Sequence, residues 1–442
     1  MKFRIYITGI GILLSAQSLL AQQDLVTHFL RNTWQANLTN PALLPNDRKI
    51  HICTASYYLS GSSPVSLSNF ITRPNTKNVL SLNDPTWIYG LDEKSYLESN
   101  VNIQTGAISF PAYKNIYVNL HHGIMYNQYT DFNRNIPELI YKGNAPFIGK
   151  TADLSHNVIT EAHSELGLGL TYKIENLSLG VRFKTYNGIG GVFTGKSDLS
   201  LTTDTSIYAL RLQSDYQLKV FEPYKDLIKA LTSNGGYGID LGFAVKFPRM
   251  EIAISALDLN ASMNFKNNGK TYSAKGDEAF TGLETINLNK TSYRELIDTI
   301  QNALNIKEEF GAQYVVNLPP RMYVSALYQV TPQLRMGGLF YTEATKFETK
   351  IGVSINGQYD ITPWFNMGMS YSVRDNQKTN IGMYSSMRIA GKIQLYSATD
   401  NILAFFNPFD ARSSNARLGL NVTLGEVKEK KKKVKKGTKK AR

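Results

Sequence analysis

The sequence predicts an all-β protein, a transmembrane antiparallel β-barrel of 14 to 16 strands with long extracellular loops containing short helices. Three observations predict it: a two-residue alternation of apolar and polar side chains, a secretion leader, and tight turns alternating with long connections. The alternation is clearest from Phe365 to Val373, where Phe365, Met367, Met369, Tyr371 and Val373 interleave with Asn366, Gly368, Ser370 and Ser372. A strand built this way has one apolar and one polar face. In the segment before it, Ile351, Val353, Ile355, Tyr359 and Ile361 stand against Lys350, Ser354, Asn356, Gln358 and Asp360. A packed core would not accept that second set unpaired, so its face is expected to line a polar lumen while the first meets lipid.

Residues 1–21 read as a signal peptide, with Lys2 and Arg4 ahead of an apolar run from Ile5 to Leu14. That run is far short of the roughly 20 residues a spanning helix needs. Cleavage is placed after Ala21, and no cysteine follows to take a lipid anchor. Residues 22–48 form a mixed segment containing Asn40-Pro41-Ala42, expected to plug the lumen or lead in from the periplasm. The barrel is assigned to residues 49–425. Its tight turns are placed at Pro111 to Asn115, Ile174 to Asn176, Phe247 to Met250, Thr331 to Gln333, Thr362 to Trp364, and Gly391 to Lys392.

Long connections are placed at Gly61 to Asn100, Gln128 to Asn157, Phe221 to Gly235, Phe265 to Glu309 and Asn401 to Ser414. Helical spacing of apolar residues appears at Tyr224 to Leu231 and at Tyr293 to Ile306. The strand count is 14 if Ser197 to Thr203 and its neighbour form a loop hairpin, and 16 otherwise. Either even count leaves both termini in the periplasm.

Residues 426–442 are too charged and too poor in apolar groups to fold alone. The tail holds nine Lys and one Arg against two Glu, among them Lys430, Lys431, Lys432, Lys433, Lys435, Lys436, Lys439 and Lys440. With Lys2 and Arg4, these segments account for ten of the thirteen net positive charges, so the barrel is nearly neutral and a nucleic-acid partner is not expected. The tail could attract the cell wall or an acidic periplasmic protein by charge alone, or serve only to solubilise.

The lumen-lining set expected from parity is Arg182, Lys184, Asp240, Asp258, Lys350, Gln358 and Asp360. Asp240 and Asp258 stand on strands joined by the turn at Pro248, close enough to share a cation or bind lumen arginines. Gly167 and Gly169 alternate with Leu166, Leu168 and Leu170, and are expected to leave lumen space for a plug or ligand. His121 and His122 are neighbours on a strand and point to opposite faces. His156 and His163, with Glu161 and Glu165 nearby, are a further candidate for a metal or acid/base site, and a solvated strand end is the plainer reading. Cys53 is the only cysteine, so no disulfide framework forms. No serine sits in a nucleophile motif, and neither an enzyme activity, a metal nor a cofactor is expected.

A resemblance adds to this reading. Asn40-Pro41-Ala42, Pro137 to Asn144, Gly180-Val-Arg-Phe-Lys184 with Gly188-Ile-Gly190, Gly238 to Gly242 with Ser255 to Leu259, Leu318-Pro-Pro320, Gln394-Leu-Tyr396 with Asp400-Asn401, and Arg417 to Asn421 occur in order along the chain. In this the chain resembles a Bacteroidetes family of uncharacterised outer-membrane proteins near the PorP/SprF type IX secretion proteins and FadL-type barrels. It departs from the pattern at Asn260, where glycine is usual, and at Leu424, where an aromatic is commoner. The resemblance implies residence in the outer membrane, in contact with its lipid, and two roles of different class. One is a transporter or channel for small or hydrophobic solutes; the other is a non-catalytic anchor for secretion or surface-assembly components.

Overall fold

A computed structural model of the chain describes residues 25–69, 71–72, 79–80, 85–206, 209–280, 306–346, 348–374 and 377–426. Fourteen strands close into one antiparallel ring: β1 (Arg48–Ser62), β2 (Lys94–Tyr113), β3 (Ile116–Asn133), β4 (His156–Ile174), β5 (Leu177–Thr203), β6 (Gly235–Lys246), β7 (Met250–Phe265), β8 (Arg321–Gln329), β9 (Leu334–Ala344), β10 (Thr349–Thr362), β11 (Phe365–Arg374), β12 (Gln377–Ile389), β13 (Ile393–Thr399) and β14 (Ser413–Glu426). β14 returns to β1 in register from Arg48↔Glu426 to Ser62↔Ser413, which leaves the ring without an edge. All six predicted tight turns join consecutive strands at one end of the barrel.

Side-chain direction follows the alternation. Ile355 is 63 % exposed on the outside, while its neighbour Asn356 is 4 % exposed inside. Outward-facing Leu166, Leu168, Leu170, Val181, Phe183, Ile351, Val353, Met369, Tyr371 and Val373 are likewise exposed, and they recur on strand after strand. The lumen instead presents Ser, Thr, Asn, Gln and paired charges.

The count of 14 holds because Ser197 to Thr203 is the far part of β5, paired with an outlying strand Leu210–Phe221. That strand pairs in turn with Gly269–Phe280, which pairs with Ile306–Phe310. The sheet therefore continues beyond the ring on one side. Phe193, Phe221 and Phe265 pack inside this extension, and Phe193 stacks on Tyr314 at 4.3 Å between centroids. Several predicted connections are correspondingly shorter: β2 begins at Lys94 rather than after Asn100, and β3 runs on to Asn133. Strand pairing persists there after the apolar alternation has ended, because both faces of these strands meet polar surroundings.

The first predicted helix is shorter than expected, at Leu227–Thr232. Asp226 caps it by accepting the Ile228 N–H at 2.9 Å. Ile228 faces outward, 74 % exposed, while Ala230 is buried, so Ile228 does not pack on the barrel's own rim. The second predicted helix lies outside the described residues except for Ile306, which opens a strand.

Asn260, standing where glycine was expected, has φ +52°. Asparagine tolerates this left-handed conformation better than other side chains. Asn260→Gly is therefore expected to fold normally, whereas Asn260→Val should lose about 1–2 kcal/mol, readable as a lower urea midpoint for unfolding from lipid vesicles.

Candidate functional site in the barrel lumen

Residues 25–45 fill the lumen. They carry a short 3-10 turn (Val26–Phe29) and one helical turn (Ala36–Thr39), and Phe29 and Trp34 are fully buried. Each such ring contributes about 1.5–3 kcal/mol by leaving water. Leu25, Val26, Phe29 and Leu30 pack against wall residues Leu257, Tyr323, Tyr341, Tyr384 and Tyr396.

Polar contacts fix the plug's register. Asn40 Nδ2 donates to the carbonyls of Phe243 at 3.2 Å and Ile254 at 3.0 Å, while its Oδ1 accepts the Ala42 N–H. Thr171 Oγ1 donates to the Pro41 carbonyl at 2.6 Å, and Ser255 Oγ to the Thr39 carbonyl at 2.6 Å. Gln35 and Asn421 exchange two side-chain amide bonds at 3.0 and 2.9 Å. Cys53 Sγ lies within 2.8 Å of the Gln35 amide and 2.7 Å of Asn421 Oδ1, so it serves this network.

Glycine makes the close approach possible. A Cβ on Gly180 would stand 2.2 Å from the Pro41 carbonyl carbon, and one on Gly242 would stand 2.2 Å from Asn40 Oδ1. Gly167, expected to leave room for a plug, instead accommodates the His121 ring from the neighbouring wall strand. Gly169 lies against Asn119 and Arg182. The plug's notch is formed by Gly180 and Gly242, direct partners on the neighbouring strands β5 and β6.

Arg182, Lys184, Asp240 and Asp258 come together in the wall beside the plug. Arg182 Nε bonds Asp240 at 2.8 Å and its Nη2 donates to the Asn37 carbonyl at 2.9 Å. Lys184 pairs with Asp258, with Asp240 at 3.1 Å and with Glu165 at 3.6 Å. Tyr186 donates to Asp258 at 2.7 Å, and Arg321 Nε at 3.0 Å. Every charge here has an opposite neighbour, as burial demands. The other predicted lining residues lie elsewhere: Lys350 pairs with Glu98 near the long-loop end, Gln358 is buried against Tyr384, and half-exposed Asp360 pairs with Arg335 at 3.3 Å near the short-turn end. The basic tail lies outside the described residues.

His156 and His163 do not come together as a site, but His163, Glu161 and Glu165 are buried in the lumen wall rather than solvated at a strand end. His163 Nδ1 binds Glu161 at 2.6 Å, Glu165 turns to His121 Nε2 at 2.8 Å, and His156 bonds the Leu154 carbonyl. Among the described residues no three His, Cys, Asp or Glu side chains are placed to hold a metal ion. Glu165, Tyr186, Arg321, Asn37 and Asn421 were missed as partners. For the strand residues only polarity at inward parity could have flagged them, and for Asn37, in the plug's helical turn, parity gives no signal.

Two cavities flank the plug. One of about 490 Å³ opens at the short-turn end between Arg31, Leu43 to Asp47, Arg335, Trp364 and Arg388. Its arginines are paired: Arg31 with Glu251 at 3.1 Å, Arg388 with Asp47 at 2.5 Å, and Arg335 with Asp360. The other, about 190 Å³, lies at the long-loop end.

Comparison with known proteins supplies a family. A family model described as "Family of unknown function (DUF5723)" matches residues 41–400. No curated protein matches. Solved structures similar to the chain include a Pseudomonas aeruginosa FadL homologue (12 % identity, TM-score 0.44, 89 % of this chain and 94 % of that one). The Ralstonia pickettii toluene transporter TbuX is similar at 10 % identity, TM-score 0.44, over 89 % and 94 % of the two chains. The translocator domain of the Neisseria meningitidis autotransporter NalP aligns at 7 % identity and TM-score 0.32, over 86 % and 90 %. The barrel itself is established by the chain's own closed ladder.

His28 makes plug docking sensitive to acid. Thr39 Oγ1 donates to the Ala36 carbonyl, so it accepts from His28 Nδ1–H at 2.9 Å; His28 Nε2 then accepts from Arg31 at 3.1 Å and Ser325 at 2.8 Å. The ring is neutral, and burial, reinforced by the Arg31 cation, holds its pKa well below 6.5. Docking is then at full strength above pH 6.5, the ordinary value, and weakens as pH falls below it by up to about 1.4 kcal/mol per unit. Limited proteolysis of residues 25–45 should accelerate below that pH in the native chain and lose this dependence in His28→Gln. Gly180→Leu, which fills the notch, should expose the same segment to protease at every pH while the barrel stays folded.

Proposed function

We propose, for a chain that belongs to the DUF5723 family of unknown function, the role of an outer-membrane β-barrel that passes small solutes through a lumen gated by residues 25–45. The exposed apolar residues that recur around the ring support the membrane placement. Water would not tolerate so continuous a surface, and lipid would. The secretion leader and the position of both barrel ends at the short-turn side fit an outer-membrane orientation with that side in the periplasm.

The observation that carries the gating role is how the plug is held. It is fixed by side-chain and backbone hydrogen bonds worth about 0.5–1.5 kcal/mol each, with a cavity on either side of it. A segment so held can leave without breaking the ladder, because no β-pairing joins it to the wall. The polar lining of both cavities favours small polar solutes over hydrophobic ones.

A second reading is supported by the same filled lumen: a closed barrel that anchors a secretion or surface assembly and conducts nothing. Non-catalytic function is common to both readings. Planar-bilayer recordings separate them. The native barrel should show rare openings, Asn40→Ala more frequent ones, and deletion of residues 22–46 a steady conductance. Silence in all three would favour the anchor.

A further inference from the structure

We propose that a file of bound water runs through the closed barrel along the seam between the plug and strands β1 to β3, so that the protein passes water while residues 25–45 stay docked. On this side the plug turns the Trp34 ring to the wall, against Cys53 and Ala107. Around that ring lie buried side chains whose polar atoms have no hydrogen-bond partner among the described residues.

The row nearest the short turns is His51, Ser109 and Asn119, successive ladder partners on β1, β2 and β3, and each is at most 2 % exposed. A ring nitrogen of His51, Ser109 Oγ and Asn119 Oδ1 are unpaired. The direction of the Asn119 amide is fixed, because its Nδ2 donates to Thr171 Oγ1, whose own proton goes to the Pro41 carbonyl. The row ends at Gly169, the partner of Asn119 on β4. A Cβ added there would first meet wall atoms of Val181, Arg182 and Asn119 at 3.4–3.5 Å, whereas one on Gly180 would meet the plug at 2.2 Å. The plug therefore stands off the wall beside the unpaired atoms, and Gly169 leaves the lumen space that parity predicts for it.

Cys53, Ala107 and His121 form the next row, about 7 Å further along the strands. Trp34 covers it, with its ring centroid 6.1 Å from that of His121. The Trp34 Nε1–H is unpaired, and so is His121 Nδ1, an acceptor because Nε2–H is given to Glu165. Past a bulge stands Gln104, partner of Ser56, with its amide unpaired at both oxygen and nitrogen. Ser60 with Asn100 and Ser62 with Glu98 then lead to the long-loop cavity. At the other end Leu44, which packs in the Trp34 cluster, lines the short-turn cavity. An ion would call for groups of one polarity. Here Trp34 and Ser109 donate while Asn119 and His121 accept, and water satisfies both kinds. Single waters would serve these atoms one at a time; their succession over three rows, from cavity to cavity, joins them into a file.

The file rests on the docked plug, so its failure leaves the gating role standing and silent bilayer recordings leave the file standing. Stopped-flow light scattering tests it, on phosphatidylcholine vesicles carrying the full chain and shrunk by an external sucrose step. Shrinkage several-fold faster than in protein-free vesicles is expected. Ser109→Val and Gln104→Leu, on opposite sides of the Trp34 ring, should each lower the protein-dependent rate about threefold, and Asn119→Leu replaces either one that fails to fold. Ser354→Ala removes an equally buried, unpaired hydroxyl on β10, away from the seam, and should leave the rate unchanged. Bilayer conductance should be unaltered in the seam variants. Shrinkage no faster than that of lipid alone, equal rates in the native chain and the seam variants, an equal loss in Ser354→Ala, or water flow that changes only in step with ion conductance would each overturn the proposal.

Discussion

The structure depends on the closing ladder between β1 and β14. A strand edge facing lipid would leave a row of backbone N–H and C=O groups with no partner, each costing several kcal/mol, so a sheet in that solvent must close or not form. Closure by antiparallel pairing of the first and last strands requires an even count and puts both ends of the barrel chain at the short-turn side. It also inverts the usual arrangement of side chains. The apolar half of every alternating strand goes outward, and the polar half goes inward, where water or a filling segment can satisfy it.

That inversion explains the chemistry of residues 25–45. A purely apolar plug would strand the inward Ser, Thr, Asn and Gln side chains, and a purely polar one would have little reason to leave water. The segment combines both: Phe29, Leu30 and Trp34 bury apolar surface, while Gln35, Asn37 and Asn40 bond wall groups. The glycine notch at Gly180 and Gly242 lets the Pro41 backbone approach the wall closely enough for Thr171 to reach its carbonyl. The same design leaves the plug separable from the wall, since none of its backbone enters the sheet.

Parity and turn chemistry made the barrel readable from sequence. The six tight turns and the direction of residues such as Lys350 and Gln358 follow from a period of two and from Pro, Gly and Asn at the bends. Past the apolar band the alternation fades while hydrogen bonding continues, so the extension of β5 and its outlying partners could not be separated from loop. Parity also identifies inward charges without saying which of them meet. The meeting of Lys184 with Asp240, Asp258 and Glu165 depends on register across four strands, which pattern does not encode. Asn260 is a case where a departure from an expected motif carried physical meaning: the backbone needed positive φ, and asparagine was a second way to reach it.

Ion pairs brace both mouths of the barrel, and at the short-turn mouth they also reach the plug. There Arg31 pairs with Glu251, Arg335 with Asp360 and Arg388 with Asp47, and those pairs bridge strand to strand or strand to plug. They hold the assembly where the plug joins β1. At the long-loop end Lys350 of β10 pairs with Glu98 of β2. Arg388–Asp47 and Lys350–Glu98 each join parts of the chain that are not ladder neighbours, so charge braces the lumen at both ends where the sheet itself makes no connection.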